Sequence, residues 1–97
     1  MKLEVNGQVV NVHVVARATI AELHGLADGH ADIFIGREDP RWERVDTLLH
    51  ELFHTILAPL KLNSRTEEKY VTALARGLTQ VLRDNPEWNP RSDYGGS

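Results

Sequence analysis

Apolar and polar residues alternate over roughly the first fifteen positions of the chain, which is the spacing of a half-buried β-strand. Asn6-Gly7 interrupts the alternation, and this dipeptide readily takes the positive φ angles of a type I′ turn. The pattern predicts a β-hairpin whose apolar face comprises Leu3, Val5, Val10, Val12 and Val14. The opposite face is polar, so we expect His13, which lies on it, to be solvated.

The next segment changes to helical spacing and then back to strand character. Thr19 stands three residues before Glu22, as in a capping box, and apolar residues follow at helical intervals up to Asp28-Gly29. This predicts a short helix over residues 19–29. The sequence HADIFIG that follows is rich in β-branched and aromatic residues between glycines, which predicts a strand over residues 31–35 at a sheet edge.

A long helix is predicted over residues 40–58. Asp39 is placed to cap it, Pro40 suits its first turn, and Pro59 ends the pattern. At about 100° per residue, its apolar positions fall on one arc that we expect to face the core. These positions are Trp42, Val45, Leu49, Leu52, Phe53 and Ile56.

A second long helix is predicted to begin with Ser64 as its N-cap, because Glu67 stands three residues later. Asn85-Pro86 ends it. Its predicted apolar stripe comprises Val71, Leu74, Ala75, Leu78, Val81 and Leu82. The order of elements indicates an α+β fold with helices packed on a small sheet, in a single domain over residues 1–88 and a disordered tail over residues 89–97.

Composition narrows the classes of function. The 97 residues are 41% hydrophobic and 26% charged, which is ordinary for a small globular domain. The absence of cysteine excludes thiolate metal sites, so a metal would need histidine and carboxylate ligands.

The net charge of −3, without a lysine or arginine cluster, makes nucleic acid an unexpected partner. No signal peptide or membrane-spanning run is present, so we expect a cytoplasmic protein that does not bind membranes. The sequence leaves the oligomeric state open.

The segment TLLHELFHTI, residues 47–56, carries the candidate chemistry. His50 and His54 lie one helical turn apart, on a flank of the apolar arc, with Glu51 beside them. Two imidazoles at this spacing can bind one metal ion while the glutamate acts as a general base. The alternative is an amphipathic helix whose polar face carries these residues by accident, in a domain that serves as a helical interaction protein.

The residues around the histidines resemble the active-site helix of zincin metallopeptidases. Those helices have valine or threonine three residues before the first histidine, uncharged residues within the motif and an apolar residue two positions after it. The positions that comply are Thr47, Leu48, Leu52, Phe53, Thr55 and Ile56. The chain does not resemble metzincins, because Leu57 and Leu60 replace their glycine and third histidine and Met1 is the only methionine.

Catalytic zinc usually has three protein ligands and one water. Gluzincins take the third ligand from a glutamate on a following helix, and by this resemblance Glu68 is the expected ligand, with Glu67 as the alternative. Glu67 is expected to fold back in the capping box, which leaves Glu68 available. Larger gluzincins place an aspartate four residues after the ligand, where Thr72 stands here. We therefore expect Asp46, one turn before His50, to accept the free N–H of that histidine.

Among zincins, the resemblance is to minigluzincins and to small HExxH proteins of phages and prophages, and it covers residues 30–85. The sequence EKYVTALA, Glu68 to Ala75, is similar to a phrase of the phage group. The resemblance implies a Zn²⁺-dependent hydrolase, in which Glu51 is the catalytic base and His50, His54 and Glu68 hold the metal. Its substrate would be a peptide or protein paired with the strand at 31–35. The alternative is a zinc-binding but non-catalytic regulatory or interaction module of a phage or bacterial system.

Overall fold

The computed structural model describes residues 1–20 and 32–89 of the chain. In order, its elements are β1 (Lys2–Val5), β2 (Gln8–Val15), β3 (Asp32–Gly36), α1 (Arg41–Leu57) and α2 (Ser64–Asp84), with 3₁₀ turns at Arg17–Thr19 and Ala58–Leu60. A three-stranded sheet followed by two packed helices confirms the predicted α+β class. The predicted short helix lies outside the described residues from position 21, and the predicted tail lies outside them from position 90.

The hairpin has the predicted two-residue turn. Val5 pairs with Gln8, and the two residues between them have positive φ angles, 52° at Asn6 and 80° at Gly7. β3 joins the other side of β2 in parallel, so the strand order is β1-β2-β3 and β3 is an edge strand of the described sheet. The predicted edge position is confirmed.

One face of the sheet forms the core. Its buried residues are Val10, Val12, Ile33 and Ile35, against which Leu3, Val5, Leu48 and Leu52 pack. The predicted core residue Val14 is 46% exposed. β1 begins opposite Asn11, so Val14 extends beyond the paired part of the hairpin and has no partner on β1.

The two long helices begin differently from the prediction. Asn63, rather than Ser64, caps α2: its side-chain oxygen accepts a hydrogen bond from the Thr66 backbone N–H at 2.8 Å. The backbone of Asn63 is extended and that of Ser64 is already helical, which moves the cap one residue earlier. α1 begins after Pro40 without a side-chain cap, because Asp39 forms an ion pair with Arg17 instead.

The apolar stripes of α1 and α2 are only partly buried. The residues of α2 that are buried are Val71, Ala75 and Thr79, which follow one i, i+4 row facing α1. Ile56 of α1 is 42% exposed, so its predicted core position is wrong, and Leu74 and Val81 of the predicted α2 stripe are 48% and 42% exposed. The sheet is covered in part by Leu48, which the predicted arc omitted. No helix in the described part of the chain is long and apolar enough to cross a bilayer.

Candidate metal centre

The two histidines of the motif lie side by side on α1. His50 and His54 are one turn apart, with ring centroids separated by 5.0 Å and ring planes at 65°. Both side chains are about one quarter exposed, 27% for His50 and 26% for His54. They therefore lie at the rim of the interface between the helices, where an ion could reach them from solvent.

Glu68 of α2 meets both imidazoles. Its Oε1 lies 3.0 Å from Nε2 of His50, and its Oε2 lies 2.8 Å from Nε2 of His54. One ligand atom from each of the three residues can be chosen so that all three lie within 4.8 Å of one another. The structure thus brings together the three residues that were predicted to be metal ligands.

Comparisons with protein-family models, curated proteins and solved structures return no match. The resemblance to small zincins therefore depends on the motif residues, and the geometry of the site is the support for any functional assignment.

The donor set suits zinc. Two histidine nitrogens and one carboxylate oxygen are a common ligand set of catalytic zinc, with bond lengths of about 2.0–2.2 Å. In a tetrahedral arrangement, such bonds separate the ligand atoms by about 3.3–3.6 Å. The distances of 2.8 and 3.0 Å from Glu68 to the two Nε2 atoms are close to that range, so small side-chain movements would accommodate the ion.

Glu67 has a different position from its neighbour. Its Oε2 lies 2.8 Å from Nδ1 of His54, on the side of the ring opposite Glu68. The expectation that Glu67 folds back onto the helix terminus is wrong, because with Asn63 as the N-cap the third helical position is Thr66 and Glu67 lies one residue beyond it. A carboxylate on the second nitrogen of a ligand histidine fixes its tautomer and ring orientation. Adjacent helical residues point about 100° apart, and here their carboxylates contact opposite nitrogens of one ring.

The expected support from Asp46 is not formed. No hydrogen bond joins Asp46 to His50 within residues 1–20 and 32–89. Support for the cluster comes from α2 instead, where the Thr72 hydroxyl donates to Oε1 of Glu68 at 3.3 Å. Thr72 lies one helical turn after Glu68, so it contacts this carboxylate and not a histidine.

The electrostatics of the cluster favour charged side chains. Burial lowers the pKa of His54, but hydrogen bonds to Glu67 and Glu68 outweigh it, and the pKa is raised above 6.5. Partial desolvation raises the pKa of Glu68, but the nearby His50 and the hydrogen bond from His54 reverse this, and the pKa is lowered below 4.5. A proton on His54 therefore competes with any metal that binds there.

The Glu51 side chain lies beside the two histidines but is not one of the candidate ligands. Within the described residues its carboxylate forms no hydrogen bond or ion pair, while its backbone carbonyl accepts a bond from the Thr55 hydroxyl. Its side chain lines two adjoining depressions. One is bounded by Asp46, Thr47, His50 and Glu51. The other lies between β3 and α1, and we call it the β3 groove. The Glu51 side chain thus borders open space next to His50.

The β3 groove has a volume of about 220 Å³ and lies between the edge strand and α1. Its lining residues are Arg17, Ile20, Asp32, Ile33, Phe34, Gly36, Asp39, Thr47 and Glu51. A side chain at Gly36 would meet the Asp39 carboxylate, since a Cβ there would lie 2.8 Å from Oδ2. The groove connects the predicted edge strand with the predicted general base.

Proposed function

We propose that the chain is a zinc-dependent metallopeptidase of the small HExxH type. One observation carries the proposal: the Glu68 carboxylate meets Nε2 of both histidines, while Glu51 on the intervening turn faces a groove beside an edge strand. His50, His54 and Glu68 would hold the metal, and their three donors leave a coordination position for water.

The chemistry would be hydrolysis of a peptide bond. Bound zinc would supply Lewis-acid activation of a water molecule and of the substrate carbonyl. The Glu51 carboxylate would accept the proton of the attacking water and return it to the amine leaving group. Glu51 can do so because it is not held in another hydrogen bond within the described residues. Glu67 and Thr72 would hold His54 and Glu68 in their orientations.

The substrate would lie in the β3 groove. An extended peptide can add to the edge of a sheet through main-chain hydrogen bonds, with side chains in pockets along the strand. β3 borders the groove along its length, and Glu51 and Thr47 of α1 form the facing wall. A peptide placed there would pass directly beside the general base.

A second candidate is a zinc-binding module without turnover. It is favoured by the way the cluster joins two helices: His50 and His54 come from α1, and Glu68 comes from α2. A metal at this point would link the helices whether or not a peptide bond is cleaved.

Metal content and turnover, measured together, separate these candidates. We expect purified wild-type protein to contain about one zinc per chain and to cleave peptides in a mixed library followed by mass spectrometry. Glu51→Gln should keep the zinc and lose cleavage, whereas Glu68→Ala should lose the zinc. Glu4→Gln, which removes an exposed carboxylate on β1, should change neither property.

Two results would argue against the proposal. Zinc retained in full by Glu68→Ala would refute the ligand assignment. Zinc bound by the wild type without cleavage of any library peptide would favour the non-catalytic module.

A further inference from the structure

The geometry points to a substrate class for this site: peptides that carry a lysine or arginine side chain close to the cleaved bond, recognised by Asp32. This inference rests on the proposed function, because it places the substrate in the β3 groove. Asp32 would be a specificity-determining residue, with no part in the chemical step.

The β3 groove is unbalanced in charge. Its one described cation, Arg17, is paired with Asp39 through an Nη1–Oδ2 distance of 2.7 Å, so these two charges cancel. The two other charged residues of the lining are Asp32 and Glu51, both acidic. Beside β3 the groove therefore carries a carboxylate, Asp32, that has no lysine or arginine partner among the described residues, and this favours a cationic side chain of the substrate.

Asp32 is held in place from one side. Its Oδ1 lies 2.9 Å from Nε2 of His13, whose ring stacks on Phe34 with centroids 5.0 Å apart. The Asp32 side chain is 25% exposed, so it is accessible but partly shielded from water. A carboxylate that is already oriented loses little side-chain entropy when it binds a cation.

The groove also suits the aliphatic part of a basic side chain. Ile20 and Phe34 provide apolar lining next to Asp32. Lysine and arginine place their methylene groups on apolar surface while the charged end reaches a polar partner. The adjoining depression is lined in part by Asp46 and by no described lysine or arginine, so the acidic character continues toward His50.

The test is a binding measurement that does not require cleavage. Two labelled short peptides would be compared, identical except for a central lysine or a central glutamate, by fluorescence anisotropy with the zinc-loaded Glu51→Gln protein. We expect the lysine peptide to bind about three- to tenfold more tightly. The preference should weaken as salt concentration rises, because the Asp32 contact is partly exposed.

Variants at Asp32 identify the residue responsible. Asp32→Asn keeps an acceptor for His13 and should bring the two affinities close together, while Asp32→Glu should retain the preference. Glu4→Gln makes the same change in net charge on a strand at the opposite edge of the sheet and should leave the preference intact. Thermal unfolding of each variant verifies that it is folded.

Equal binding of the two peptides, weaker binding of the lysine peptide, or a preference that survives Asp32→Asn would overturn the inference. Failure of the proposed function gives a different result. In that case the wild type cleaves nothing in the library, but the Asp32-dependent preference for lysine persists. Cleavage by the wild type without that preference would refute the role of Asp32 alone.

Discussion

Carboxylates contact both ring nitrogens of His54, and the contact from Glu67 could not be predicted from the HExxH motif. Oε2 of Glu67 lies 2.8 Å from Nδ1 of His54, while Nε2 of the same ring faces Glu68 at the same distance. The Glu67 side chain is 22% exposed, compared with 54% for Glu68. The more buried carboxylate thus orients the imidazole, and the more exposed one is available to a metal.

Removing the Glu67 carboxylate should weaken zinc binding without abolishing it. We expect Glu67→Ala to lower zinc affinity about 10- to 100-fold, since a ligand histidine loses its orienting partner. Glu67→Gln keeps an acceptor for Nδ1 and should fall between Glu67→Ala and the wild type. Competition with a chromophoric chelator measures these affinities.

Glu87→Ala provides the control for that series. Glu87 is exposed and follows the far end of α2, which at about 1.5 Å per helical residue extends roughly 25 Å beyond Glu67. It should bind zinc as the wild type does. Unchanged affinity in Glu67→Ala would show that the Nδ1 contact does not support the metal site.

Zinc removal should destabilise the fold, because the candidate ligands come from both α1 and α2. A ligand present at a hundred times its dissociation constant stabilises the folded state by about 2.7 kcal/mol. For a domain of this size, that corresponds to a melting temperature roughly 10–20 °C higher than without metal. Differential scanning fluorimetry with and without a strong chelator measures the shift.

The same chelator experiment on His50→Ala provides the control. This variant lacks one candidate ligand and should show little response to metal or chelator. A wild-type melting temperature that is indifferent to the chelator would instead indicate that the histidines and glutamates form only a polar contact between the helices.

The stability of the metal-free protein should depend on pH through the same cluster. The pKa of His54 is raised from 6.5, so its stabilising contribution is complete below about pH 6.5 and is lost as pH rises through the folded-state value. The pKa of Glu68 is lowered from 4.5, so its contribution is complete above about pH 4.5 and is lost as pH falls through the folded-state value. The cluster therefore stabilises most between these limits.

Urea unfolding of the chelated protein at pH 5.5 and at pH 8 tests this dependence. We expect a higher midpoint at pH 5.5 for the wild type and a smaller difference for His54→Gln, which does not titrate. Zinc affinity should change in the opposite direction, rising with pH as the proton leaves His54. Wild-type and His54→Gln proteins with the same pH dependence would contradict the assignment.

Local signals in the sequence were sufficient for the hairpin and for the helical pair of histidines. Asn6-Gly7 specifies a turn from two adjacent residues, and the spacing of His50 and His54 alone places them on one face of a helix. The choice of Glu68 over Glu67 depended on which residue capped α2. The prediction selected Glu68 although its capping residue was wrong by one position.

Contacts between elements distant in the sequence could not be predicted from such local signals. His13 and Asp32 meet because β2 and β3 pair in parallel with Asn11 opposite Asp32, and that register depends on packing rather than on either strand alone. Helical periodicity likewise predicts a broad apolar arc on α2, and only the position of α1 decides which part of that arc is buried.

Matched substitutions to alanine on α2 can show which side of that arc is buried. Val71 is fully buried, whereas Leu74, three residues later, is 48% exposed. Val71→Ala should cost about 2 kcal/mol of unfolding free energy, because it removes buried methyl groups and leaves a cavity. Leu74→Ala removes more carbon atoms but should change stability by only about 0.5 kcal/mol. Urea unfolding of the chelated proteins compares them without a contribution from metal. If Leu74→Ala proved the more damaging change, the Leu74 side of α2 would be the buried one. The helix α2 would then have to be rotated against α1, and this rotation would separate Glu68 from the two histidines.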